Sequence, residues 1–328
     1  MKLAIIGGGS WGTALSIVLA ARFDEVALWI YEADLAARMR ATRENDVYLP
    51  GLELPANVRV TAELGIALTG CEIVLGVMPS RHARRIYTAA LPFLEPSMTL
   101  VSATKGIERE TLLRMSEVMA TVLGESKIAV LSGPTFAREI ARGDPAAVVV
   151  ASEKVEVAEH IQRAFSGPTF RLYTNFDPIG VEIGAALKNV VAIGAGVCQG
   201  LGLGSNALAA LITRGLAEIT RLAVAMGGQP KTLAGLAGLG DLVLTCTGEL
   251  SRNRKVGLEL ATGKFLADIV ASTPMVAEGI ETCGAAVALG AKFQVDLPIV
   301  QQMHQVLHLA KGPRDALRDL MERSLKGE

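Results

Sequence analysis

"KLAIIGGGSWGTALSIVLA", residues 2–20, runs from a short apolar, β-branched stretch through a cluster of glycines into a helix-forming pattern. Gly7, Gly9 and Gly12 stand in G-x-G-x-x-G register at that junction. The glycine pattern alone is common. Its place between strand and helix gives it a mechanism: one glycine makes the tight turn, a second lets backbone approach a pyrophosphate, and a third lets the helix pack on the strand. The unpaired N–H groups of the helix start then face the anion, and Ser10 and Trp11 inside the loop lie against the dinucleotide.

Working outward, the next apolar runs are "EVALWI" (25–30), "EIVLGV" (72–77), "MTLVSA" (98–103), "KIAVLS" (127–132), "AAVVVA" (146–151) and "FRLYT" (170–174). Helical patterns fall between several of them. Near-continuous apolar strands separated by helices predict a doubly wound parallel sheet covered on both faces. Beyond about residue 178 the strand signals stop, and helices with Gly-rich breaks are expected over 180–197, 206–226, 230–237, 252–262, 275–289 and 298–310, with "GPRDALRDLMER" closing the chain. The expected fold class is α/β, a parallel sheet followed by an all-α part. The boundary is placed in "NFDPIG" (175–180), giving a dinucleotide-binding domain over 1–178 and a helical substrate and catalytic domain over 179–328.

Composition narrows the function. The chain has 328 residues, half of them hydrophobic and 20% charged, with a formal net charge of -1, so no global field favours nucleic acid or an anionic membrane. Cys71, Cys198, Cys246 and Cys283 are scattered without a CxxC pair, which suits reduced thiols in the cytoplasm. The histidines show no paired spacing, and no metal is expected. Residues 189–212 carry no Asp, Glu or Lys and reach membrane-spanning length. Gln199, Ser205, Asn206 and the glycines of "GLGLGSN" argue instead for two buried helices joined by a turn, with no membrane span.

In doubly wound sheets ligands bind outside the carboxyl ends of the strands. Those ends carry "MPS" (78–80), "TKG" (104–106) and "GPTFA" (133–137), where Lys105 is either a ligand cation or an exposed loop lysine. In the second half, "EIGAALKNVVAIGAG" (182–196) sets Lys188 in a stripe of small residues, with Gly184 and Ala185 one turn before it. That lysine either snorkels to solvent or carries a proton beside a small ligand. "GLGD" ends in Asp241, and "SRNR" supplies Ser251, Arg252, Asn253 and Arg254, a set suited to phosphate oxygens or to a solvated helix start.

Together these segments resemble the soluble bacterial type of NAD(P)-dependent glycerol-3-phosphate dehydrogenase. "GGGSWGTALS", "LVSATKGIE", "LSGPTFAREIA", "LKNVVAIGAG", "ALITRGLAEI", "GLAGLGDLVLTCTGELSRNRKVG" and "VAEGIET" occur in family order over nearly the whole length. The resemblance implies a Rossmann-type N-terminal domain, an active site between the two domains, NAD or NADP as coenzyme, a phosphorylated small-molecule substrate and a cytoplasmic homodimer. It implies that Lys188 is the proton acceptor, assisted by Lys105 and Asp241. Lys105, Gly133, Thr135, Asp241, Ser251, Arg252 and Asn253 correspond to substrate contacts; Ser10, Trp11, Lys105, Ala137, Arg252, Val276 and Glu278 correspond to coenzyme contacts. The chain departs from the family where many members have Arg or His after "ALW": here the position near the coenzyme ribose is Tyr31, followed by Glu32, which favours NAD over NADP. Two rivals are a hydroxy-acid or ketopantoate-type dehydrogenase, against which "SRNR" stands, and a non-catalytic dinucleotide sensor.

Overall fold

The computed structural model describes residues 1–124, 127–273, 275–325 and 327. The strands are β1 (Lys2–Ile6), β2 (Glu25–Trp29), β3 (Glu44–Asn45), β4 (Leu49–Glu53), β5 (Val58–Thr61), β6 (Ile73–Gly76), β7 (Thr99–Ser102), β8 (Lys127–Ser132), β9 (Ala146–Ala151) and β10 (Phe170–Asn175). Eight of them form one sheet in the order β10-β9-β8-β7-β6-β1-β2-β5, while β3 and β4 make a separate hairpin. Alternate residues of single strands feed two cores. Leu3, Ile5, Val26, Leu28, Ile73 and Leu75 pack with Leu15 and Leu19 of the helix Ser10–Leu19. Ala4, Ile6, Ala27, Val74 and Leu100 face the other way, towards Ile86 and Tyr87 of the helix Ala83–Ala90 and Val118 and Met119 of Met115–Leu123. Both faces are therefore covered, which is why the strands read as continuous apolar runs.

The sheet is parallel except at β8 and β9, which pair antiparallel with Val130 opposite Ala151. The link between them, residues 133–145, contains the six-residue helix Ala137–Arg142, after which β9 runs back alongside β8. The chain divides into two compact units, one of residues 1–105 and 113–182, the other of residues 106–112 and 183–328.

The second unit is helical, with Pro178–Gly200 running in from the first and followed by Ser205–Ala225, Pro230–Leu233, Asp241–Thr247, Arg252–Ala261, Leu266–Ala271, Glu278–Lys292, Pro298–His308 and Pro313–Met321. The first two are separate helices broken after Gly200, as the glycines there require. Among the described residues one helix, Pro178–Gly200, is long and apolar enough to cross a membrane, and its most apolar stretch is wholly buried in the protein. All four cysteines are free thiols.

Glu218 holds the start of the helix Pro298–His308, its carboxylate accepting from the N–H groups of Ile299 at 2.8 Å and Val300 at 3.3 Å. Burial pushes its pKa up to about 7, against those two hydrogen bonds and Arg221, with Asp296 reinforcing the rise. A proton kept by the folded chain but released by the unfolded one from about pH 4.5 upward makes stability fall as pH rises through 7, by a ceiling on the order of 3 kcal/mol for the whole shift. Glu218→Gln, a neutral mimic of the protonated acid, is expected to flatten the decline in melting temperature between pH 5 and pH 8. An equal decline in both proteins counts against Glu218 as its source.

Candidate active site

The glycine loop is built for close approach by a ligand. Gly7 has φ +125°, and a Cβ there would stand 2.5 Å from the carbonyl oxygen of Val77 at the end of β6. A Cβ on Gly12 would stand 1.8 Å from the carbonyl oxygen of Gly7, so the helix lies directly on the loop. At Gly9 the same construction meets no protein atom within 4 Å. Gly9 is also the N-cap of the helix Ser10–Leu19, which has no side-chain cap, and the buried indole N–H of Trp11 has no protein acceptor. Unclaimed donors around an open glycine fit a pyrophosphate-bearing coenzyme. Asn45, on β3, braces the loop by donating to the Gly8 carbonyl and the Thr13 hydroxyl, both at 2.8 Å.

Lys105 follows β7, and its ammonium donates to the Gly133 carbonyl at 3.2 Å and the Thr135 hydroxyl at 3.3 Å, just past the end of β8. Ala137 opens the next helix. Four residues singled out in the sequence thus gather at the carboxyl ends of two adjacent strands.

In the second unit, Lys188 donates from Nζ to Oδ1 of Asp241 at 2.6 Å and to Oγ1 of Thr245 at 2.8 Å. Lys188 is 5% exposed and Asp241 wholly buried, which rules out a lysine snorkelling to solvent. The small residues around it have a second use: a Cβ on Gly184 would meet the Ala237 carbonyl at 2.8 Å, so the turn Leu236–Gly240 lies against the lysine's helix and delivers Asp241 to it. Thr245 donates to the backbone carbonyl of Asp241 at 2.6 Å, which leaves its oxygen lone pairs for the ammonium. Thr245 is not marked by the sequence pattern. Its only signal is the i,i+4 spacing from Asp241, visible once residues 241–247 are known to be helical.

Ser251 caps the helix Arg252–Ala261, accepting from the N–H of Arg254. The buried Asn253 amide donates to Oδ1 of Asn189 and accepts from the N–H of Gly279, both at 3.0 Å. This bridge joins the neighbour of Lys188, the capped helix and the start of the helix Glu278–Lys292. Arg252 is exposed at the first turn; surrounding protein lowers its pKa, and nearby Glu278 opposes that. Val276 and Glu278 are half-buried beside the same helix start. A separate cleft of about 620 Å³ in the first unit, lined in part by Arg114, Ile128 and Lys154, includes none of these residues.

Family models for the N-terminus and the C-terminus of NAD-dependent glycerol-3-phosphate dehydrogenase match residues 2–158 and 177–318. The chain belongs to that family. It is 56% identical over 98% of its length to the glycerol-3-phosphate dehydrogenase [NAD(P)+] of Koribacter versatilis, covering 97% of that protein. The crystal structure of the glycerol-3-phosphate dehydrogenase of Coxiella burnetii superposes with a TM-score of 0.95 at 40% identity, covering 98% of this chain and 99% of that one. A Saccharomyces cerevisiae glycerol-3-phosphate dehydrogenase gives 0.83 at 27% identity, covering 98% and 99%. Within this family the open glycine loop belongs to an NAD(P)-dependent oxidoreductase, and the coenzyme is NAD or NADP.

Proposed function

We propose that the protein interconverts sn-glycerol 3-phosphate and dihydroxyacetone phosphate, with Lys188 exchanging the proton. The observation that carries the reading is an ammonium held at 2.6 Å by a wholly buried carboxylate, on a helix whose neighbouring turn bears an arginine and a cap suited to phosphate. The nicotinamide, when bound, accepts or donates the hydride. Reduction of the ketone needs a proton delivered to its oxygen as the hydride arrives, and oxidation needs the same proton removed. Lys188 fills both roles, and Asp241 and Thr245 fix the direction of its N–H bonds. Arg252, Ser251 and Asn253 hold the phosphate. Lys105, Gly133 and Thr135 add substrate contacts, and Gly7, Gly9, Ser10, Trp11, Gly12, Tyr31, Ala137, Val276 and Glu278 hold the coenzyme together with Lys105 and Arg252.

In this reading residues 1–178 bind the dinucleotide and 179–328 carry out the proton transfer. The enzyme works as a cytoplasmic homodimer supplying glycerol 3-phosphate for phospholipid synthesis. The test is loss of reduced-nicotinamide absorbance with dihydroxyacetone phosphate, beside ketopantoate, a simple 2-oxo acid and unphosphorylated dihydroxyacetone. Turnover is expected with the phosphorylated ketone far above the others. Faster turnover of a 2-oxo acid, or none with any substrate, overturns the proposal.

A further inference from the structure

The end of β2 lies against the glycine loop. The N–H of Gly7 donates to the Trp29 carbonyl at 3.1 Å, and a Cβ on Gly8 would stand 1.8 Å from Cδ1 of Ile30. Tyr31 follows directly, at the place where doubly wound sheets receive the adenosine ribose of a dinucleotide. Its ring is 63% exposed and meets the Trp29 indole edge-on, with centroids 6.1 Å apart.

A cation stands on this ring. The guanidinium of Arg85, an exposed residue of the helix Ala83–Ala90 that follows β6, lies 5.4 Å from the Tyr31 ring centroid. Arg81 donates to the His82 imidazole at 3.2 Å just before that helix. Burial first, and then the charges of Arg81 and Arg85, lower the pKa of His82. The nearby acids are partly engaged: Glu32 accepts from the Tyr48 hydroxyl at 3.0 Å, and Asp46 takes both arms of Arg38 at 3.2 Å. Arg38, on the helix Ala33–Thr42, is thereby occupied.

We propose that Arg85, seated on Tyr31, binds the 2′-phosphate of NADP and makes NADPH the preferred reductant. The cation then comes from the helix Ala83–Ala90 after β6 and not from the end of β2 itself. A planar guanidinium suits a phosphate dianion, and the ring beneath it restricts the side chain before the ligand arrives. Tyr31 supplies the platform rather than the charge. The inference rests on the NAD(P)-dependent reading and reverses the preference for NAD that Tyr31 and Glu32 suggest in the sequence.

The experiment compares kcat/KM for NADPH and NADH in the unmodified protein, Arg85→Ala and Arg85→Lys, with calorimetric titration of 2′,5′-ADP and 5′-AMP. The expected result is a preference for NADPH that Arg85→Ala lowers about tenfold or more through loss of a charge-assisted contact, with NADH changing at most a few-fold and lysine restoring part of the loss. Affinity for 2′,5′-ADP should fall in parallel while that for 5′-AMP holds. Equal losses with both coenzymes, or none with either, overturn the assignment. A protein that turns over no ketone removes the dehydrogenase reading, yet the two adenosine phosphates still decide the role of Arg85.

Discussion

Lys188→Ala is expected to lower turnover of dihydroxyacetone phosphate by about 10² or more, the usual scale for losing a general acid or base. The same substitution does a second thing that its small-residue surroundings conceal in the sequence. It takes the ammonium, bonded at 2.6 Å, away from the wholly buried carboxylate of Asp241, and breaking a buried ion pair from one side costs about 3–5 kcal/mol. A loss of activity from Lys188→Ala alone therefore mixes chemistry with damage to the fold. Pairing it with Asp241→Asn separates them, because the amide removes the buried charge and still bonds to Thr245. The double variant should regain most of the melting temperature lost by the single one and none of its turnover. Turnover within a few-fold of the unmodified protein in either variant would sink the role of Lys188. Recovery of turnover along with stability would reduce the lysine to a structural partner.

What could be read from the sequence follows the kind of interaction involved. The β1, β2 and β6 to β9 strands announce themselves because both faces are buried and their apolar runs are continuous, whereas the edge strand β10 alternates buried Phe170 and Leu172 with exposed Arg171 and Tyr173. The β5 strand, "VRVT", escapes: it is four residues long, lies at the sheet edge and turns Arg59 to solvent. The reversed direction of β9 escapes for another reason, since apolar content marks a strand without marking its sense. Within the site, Lys188 and Asp241 stand out as polar groups in apolar surroundings, but the threonine joining them sits in "LVLTCT" and looks like core. Asn45 and Arg85 leave no trace at all. Each acts on a partner far along the chain, Gly8 in one case and Tyr31 in the other, and only the fold brings them together.

Arg252→Ala is expected to raise the KM for dihydroxyacetone phosphate strongly, with kcat/KM down roughly 10- to 150-fold, the equivalent of about 1.5–3 kcal/mol for a hydrogen bond to a charged group. The structure makes this a clean substitution. Arg252 is exposed at the first turn of its helix, whereas the adjacent Asn253 is buried and spans Asn189 and Gly279. Removing the guanidinium leaves the Ser251 cap and the Asn253 bridge in place, so melting temperature should barely move. Asn253→Ala instead cuts two buried hydrogen bonds and should lower both stability and activity. The decisive comparison is with unphosphorylated dihydroxyacetone, a poor substrate that offers Arg252 nothing to hold. If Arg252 grips the phosphate, its loss narrows the gap between the two ketones, because only the phosphorylated one loses a contact. An equal loss with both assigns Arg252 to the coenzyme alone, and no loss with either moves the phosphate site away from the start of this helix.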